Sequence, residues 1–169
     1  DKLEEMLTEN VAAVLINSPN NPSGIIYTQE TLEILSQLLE RKQKEYGHEI
    51  FLISDEPYRE IAFDGKITPY PSRFYRNTLS CYSFSKSLSL PGERIGYVAV
   101  HPDCTDSELI AVMCGQISRG IGHNCPSSTI QQAVCQVLDE ISDVSVYETN
   151  RNLLFDALTR LGFTVVKPG

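Results

Sequence analysis

The stretch EIFLISDEPYREI, residues 49–61, begins as a continuous apolar run and ends in acid. Ile50 to Ser54 carry no alternation of apolar and polar residues, which is the pattern of a strand buried on both faces. Asp55 and Glu56 stop the run, and Pro57 turns the chain. Two stretches repeat the design. NVAAVLINSPNNPSG (10–24) reads as a strand from Val11 to Asn17 breaking into a turn rich in Asn, Pro and Gly, and NTLSCYSFSK (77–86) as a strand from Thr78 to Phe84. Between the first two, Thr28 is placed as an N-cap. Leu32, Leu35, Leu38 and Leu39 follow at helical spacing, and Gly47 closes a charged last turn.

RIGYVAVHP (94–102) adds a fourth strand. Helices are expected around Ser107–Ser118, over Ser127–Ile141 and through VYETNRNLLFDALTRLG (146–162), and FTVVKPG (163–169) reads as the start of another strand. Strand–helix–strand alternation with apolar strands predicts an α/β fold, a mostly parallel sheet flanked by helices. In such sheets ligands bind beyond the carboxyl ends of the strands. Three polar clusters fall there: SPNNPSG (18–24), SDEPYRE (54–60) and SFSKS (83–87).

The chain has 169 residues, 41% hydrophobic and 21% charged, a composition that supports one packed core. A formal net charge of −8 argues against nucleic acid or an anionic membrane as partner, since both repel an acidic surface. Five cysteines, with no C-x-x-C pair and no zinc-type spacing, predict reduced thiols in a cytoplasmic protein and no metal site. No apolar stretch reaches the roughly 20 residues of a membrane span. The first residue is Asp, so the sequence reads as a piece of a longer chain.

Lys86 sits where the third strand ends, and Arg94 follows eight residues later. Desolvation or a neighbouring cation lowers a lysine pKa toward the nucleophilic amine, and Arg94 with a buried setting would supply both. A solvated lysine in a serine-rich turn fits the same letters. Ser83, Ser85 and Arg94 offer hydroxyls and a planar guanidinium suited to a phosphate, although serines also form turns. Asp55 at a strand end needs a cationic or hydrogen-bonding partner; capping a short helix EPYREI is its structural alternative. Glu56 points the other way if the strand continues. Asn21 opens a tight turn and adds a polar group at the same edge.

Taken together, NSPNNPSG, SDEPYREI and SFSKSLSLPGERIGY resemble, in order and spacing, the cofactor site of class I/II, fold-type-I pyridoxal-phosphate aminotransferases of the aspartate-aminotransferase type. The resemblance covers essentially the whole chain. It implies pyridoxal 5′-phosphate as cofactor, Lys86 as the Schiff-base lysine and proton carrier, and Asp55 as the partner of the pyridine nitrogen. It further implies Tyr58 and Asn21 at the phenolic oxygen, and Ser83 and Arg94 on the phosphate. Asn21 also contacts the substrate carboxylate in the family. Arg119 and Asn124, in SRGIGHNCPSS (118–128), are candidates for a substrate side chain through a dimer partner's site; Arg119 equally suits a helix C-terminus.

The implied activity is amino-group transfer between an L-amino acid and a 2-oxo acid by a homodimer. Residues 1–142 would be the C-terminal half of the large cofactor domain, and 143–169 a connector helix and first strand toward a small domain. The family's phosphate loop, ring-stacking aromatic residue and carboxylate-binding arginine would lie outside this chain, leaving it inactive alone. Other fold-type-I enzymes, including carbon–sulfur lyases, share the lysine and aspartate, but DEPY (55–58) and LPGERIGY (90–97) lean toward aminotransferase. A non-catalytic aminotransferase-like regulator is the alternative of another class. A plain nucleotide-binding domain is excluded by the absence of any G-x-G-x-x-G or P-loop pattern.

Overall fold

The computed structural model describes residues 2–169. Four strands form one sheet in sequence order: β1 (Ala13–Asn17), β2 (Phe51–Asp55), β3 (Thr78–Ser83) and β4 (Gly96–Val100). The first three are parallel, and β4 returns antiparallel to β3. This is the mostly parallel α/β sheet expected. Helices α1 (Lys2–Met6), α2 (Gln29–Tyr46), α3 (Phe84–Ser87), α4 (Ser107–Gly120), α5 (Ser128–Cys135) and α6 (Ser145–Arg160) complete the chain.

The α2 helix forms where capping and periodicity agree. The Thr28 hydroxyl accepts the Thr31 N–H at 3.1 Å, and Gly47, at φ 73°, donates its N–H to Gln43. Leu32, Leu35, Leu38 and Leu39 are all buried, against Ile16, Ile50, Leu52 and Tyr75. Each such side chain contributes roughly 1.5–3 kcal/mol by leaving water. The sheet alternates, so residues paired across strands share a face. Ile16, Ser54 and Ser80 point toward α2, and the row Asn17–Asp55–Cys81–Val98 points to the other face.

Four expectations are revised. Helix α5 ends at Cys135 rather than Ile141: Val134 is its last buried residue, and Val137, Leu138 and Ile141 are exposed with nothing to pack on. No strand forms in 163–169; its backbone instead reaches the first polar turn, where the Gly169 N–H meets the Gly24 carbonyl at 2.9 Å. EPYREI is a turn rather than a helix, so Asp55 caps nothing there. Lys86, expected to be desolvated, is exposed, on a single-turn helix that places it at the rim of the sheet.

Candidate functional site

The carboxyl ends of β1, β2 and β3 lie side by side, and the three polar clusters meet there. Asn17 and Asp55 end neighbouring strands in register. The Asn17 amide donates to Asp55 Oδ2 at 3.1 Å and to the Asp55 carbonyl at 3.0 Å. Its own Oδ1 accepts the Asn21 N–H at 2.8 Å. Asn21 then donates from Nδ2 to the Tyr58 hydroxyl oxygen at 2.9 Å, and Lys86 Nζ lies 5.7 Å from the Tyr58 ring centroid. Contacts therefore run without a break from Asp55 through Asn17, Asn21 and Tyr58 to Lys86.

Burial pushes the Asp55 carboxyl above its usual range, and the neighbouring Glu56 charge adds to the effect. Asp55 Oδ1 takes no hydrogen bond among the described residues. Glu56 does point to the opposite side, where it is fully buried and ion-paired with Arg59. Among the described residues, the Asp55 carboxylate is thus left on its face of the sheet with no cation of its own.

A second cluster adjoins the first. Ser83, Ser85, Arg94 and Asn124 line one cavity of about 490 Å³ between the β3–β4 ends and α4, together with Cys81, Tyr97, Cys114, His123 and Cys125. Ser83 caps α3: its Oγ accepts the Ser85 N–H at 3.1 Å and donates to Ser85 Oγ at 2.7 Å. Arg94 has the left-handed φ of 52° and turns Nη1 onto the Pro91 carbonyl at 3.1 Å, with the rest of the guanidinium exposed. Gly96 is required behind it, because a Cβ there would stand 2.3 Å from the Tyr82 carbonyl. Arg119 is not brought into this group: it is exposed in the last turn of α4, suited to that helix's C-terminal carbonyls. Asn21 and Tyr58 line a separate, smaller groove with Pro22 and Phe63.

Sequence reasoning missed Asn17, which organises the first cluster. Its signal was a strand closing on an amide, as β2 closes on Asp55. It also missed Cys81, one strand over from Asp55, whose thiol is pushed up by burial and by Asp55. His123 lines the cavity because Ser118 bonds its carbonyl and folds the loop back on α4.

Known proteins match the chain along its whole length. The family model for aminotransferase class I and II matches residues 1–169. The aromatic-amino-acid aminotransferase 2 of Thermococcus litoralis and the aspartate/prephenate aminotransferase of Thermus thermophilus are each 30% identical over 99% of this chain. The chain spans 42% of the length of either relative. An amino transferase structure from Eubacterium rectale superposes with a TM-score of 0.95 at 47% identity, over 98% of this chain and 42% of that one. The aspartate aminotransferase structure of Thermotoga maritima gives 0.79 at 27% identity, over 99% and 42%. The edge of polar strand ends and the match along every residue lead to one assignment: the chain belongs to the class I and II aminotransferase family.

Proposed function

We propose that the protein carrying this chain transfers an amino group between an L-amino acid and a 2-oxo acid, with Lys86 as its reactive amine. The unbroken run of contacts from Asp55 to Lys86 along one sheet edge carries this reading. The cofactor of the family is pyridoxal 5′-phosphate. The residues present suit that group chemically: a primary amine for its aldehyde, a carboxylate for its ring nitrogen, neutral donors for its phenolic oxygen, and hydroxyls with a guanidinium for its phosphate. When bound, it supplies an electron sink for the carbanion formed at the amino-acid α-carbon.

Each side chain then has a task. Lys86 holds the aldehyde and, once released, carries the proton taken from the substrate α-carbon. Asp55 has an oxygen to spare and a carboxyl that burial disfavours as an anion. Asp55 would hold the ring nitrogen, and a proton on that nitrogen would relieve the cost of its anion, so Asp55 would favour the charged ring. Tyr58, with Asn21 donating to its oxygen, keeps its own proton to give to the phenolic oxygen. Both are neutral, so neither competes with the Asp55 pairing. Ser83 and Arg94 hold the phosphate, with Ser85 reinforcing Ser83.

The active unit is proposed to be a homodimer in the cytoplasm. Leu109, Val112, Met113 and Ile117 form an exposed apolar set on α4, as a subunit interface requires, and all five cysteines are free. Arg119 and Asn124, on that helix and the loop behind it, then serve a substrate side chain, Arg119 in the other subunit's site. Among the described residues no helix is long and apolar enough to cross a membrane. Residues 1–142 are proposed as cofactor domain and 143–169 as connector. The full-length protein should form a new amino acid from an L-amino acid and a 2-oxo acid, and Lys86→Ala should lose this by a factor on the order of 10³ or more. An alanine variant of undiminished rate would refute the assignment.

A further inference from the structure

Behind Lys86, on the sheet face opposite Asp55, Tyr82 is 8% exposed and hydrogen-bonded twice. Its hydroxyl is 2.8 Å from Glu60 Oε2 and 2.7 Å from Ser87 Oγ. A phenol has one proton, and the Glu60 carboxylate can only accept it. The Ser87 hydroxyl therefore donates the second bond to the phenol oxygen. Burial pushes the Tyr82 phenol above its usual range, which keeps that proton in place.

The ring itself is immobilised. Phe84 meets it edge-on at 5.1 Å, Tyr97 lies 5.2 Å away, and the Arg59 guanidinium sits 4.7 Å over it. Arg59 is in turn held between Tyr82 and Tyr70 and paired with buried Glu56. Burial alone would weaken its charge, but the neighbouring Tyr97 and the Glu56 carboxylate more than offset this, so it stays a cation.

Ser87 is the residue after Lys86 and is 3% exposed. Helix α3 has only four residues and does not persist by its own hydrogen bonds. Ser83 caps its start, while Ser87 ties down its end: the side chain binds Tyr82, and the carbonyl accepts the Ser142 N–H at 2.7 Å. We infer that Tyr82, acting through Ser87, is a positioning residue that fixes the turn bearing Lys86. The inference rests on the reading of Lys86 as the cofactor amine.

The test uses the full-length protein with pyridoxal 5′-phosphate as probe. The dissociation constant, the Lys86 adduct trapped by borohydride at fixed cofactor, the absorption-band ratio at one pH and the melting temperature are measured together. Tyr82→Phe and Ser87→Ala should each weaken capture at Lys86 by about fivefold, the worth of one hydrogen bond. Both should shift the band ratio the same way, and the double variant should be no worse than either single one. Losses that multiply to about 25-fold in the double variant would overturn the inference. So would a lower melting temperature with capture and spectrum unchanged. If Tyr82→Phe does not fold, unchanged capture in Ser87→Ala is enough to reject it. Absence of any adduct on Lys86 in the unaltered protein would instead reject the underlying reading of that lysine.

Discussion

Asp55 is held in the folded chain with its proton bound more tightly than in the unfolded chain, by burial first and Glu56 second. The sign follows from linkage. As pH rises above the ordinary carboxyl value of 3.8, the unfolded chain ionises before the folded one, so stability falls through that window and stays lower above the raised folded value. Asp55→Asn removes this penalty while keeping an oxygen for Asn17. The carboxylate is partly solvated, so the gain is small: a melting temperature higher by about 1–2 °C at pH 7, and unchanged at pH 3. Activity should fall on the order of 100-fold or more, because an amide cannot balance a protonated ring nitrogen. Equal stability at both pH values would contradict the account of Asp55. Arg119 belongs to the same scale. Its exposure leaves it free to meet a side-chain carboxylate in another subunit, so Arg119→Ala should raise KM for aspartate and glutamate about tenfold and spare alanine. A uniform loss across substrates would mark it as a helix-end residue only. Lys86, Asp55 and Ser83 stood out as candidates in the sequence because polar residues there close apolar strands, whereas Tyr58 was a candidate only through the family resemblance. Asn17 carried the same strand-end signal and was passed over as the last residue of its strand, while Tyr82 reads only as core.

Among the elements, α6 shows what sequence periodicity leaves out. A helix was readable at 146–162, but not its attachment. Arg151, 7% exposed, donates to both oxygens of Asp64 at 2.8 and 2.9 Å, to the Pro168 carbonyl at 2.9 Å, and lies 4.7 Å over the Phe63 ring. The Arg151 hydrogen bonds hold the Asp64 carboxyl below its usual range. This contribution is present above the ordinary carboxyl value and is lost as pH falls through the depressed one. Arg151→Ala should lower the melting temperature by about 2–4 °C, through the lost hydrogen bonds and the lost packing of its buried side chain on Phe63, and expose α6 to proteolysis first. Arg151→Ala with unchanged stability and protease resistance would show that α6 is held by other contacts. Strand identities were legible for a simple reason: β1, β2 and β3 are short apolar runs closed by polar residues. The direction of β4 was not, since nothing in GYVAV distinguishes a parallel from an antiparallel partner; the link from Phe84 to Ile95, which holds α3 and the Pro91–Glu93 turn, stays at one end of the sheet, so Gly96 starts opposite Ser83 and β4 runs back.

At the scale of the molecule, one face of the sheet packs on α2 and the other presents Asp55, with Leu15 and Val98 also exposed there. A single row of strand ends thereby gathers amine, carboxylate, phenol and guanidinium within one rim. The order of the three motifs along the chain is the order of their strands in the sheet, which is why sequence alone could place them together. Their hydrogen-bond partners needed the fold. The family assignment is carried by the whole length of the chain, and the proposed chemistry rests on Lys86. Pyridoxal 5′-phosphate added to the full-length protein, followed by borohydride reduction and peptide mass mapping, interrogates that lysine directly. The account predicts one reduced cofactor adduct, on the peptide containing Lys86, abolished by Lys86→Ala. An adduct on another lysine, or none at all, would contradict it.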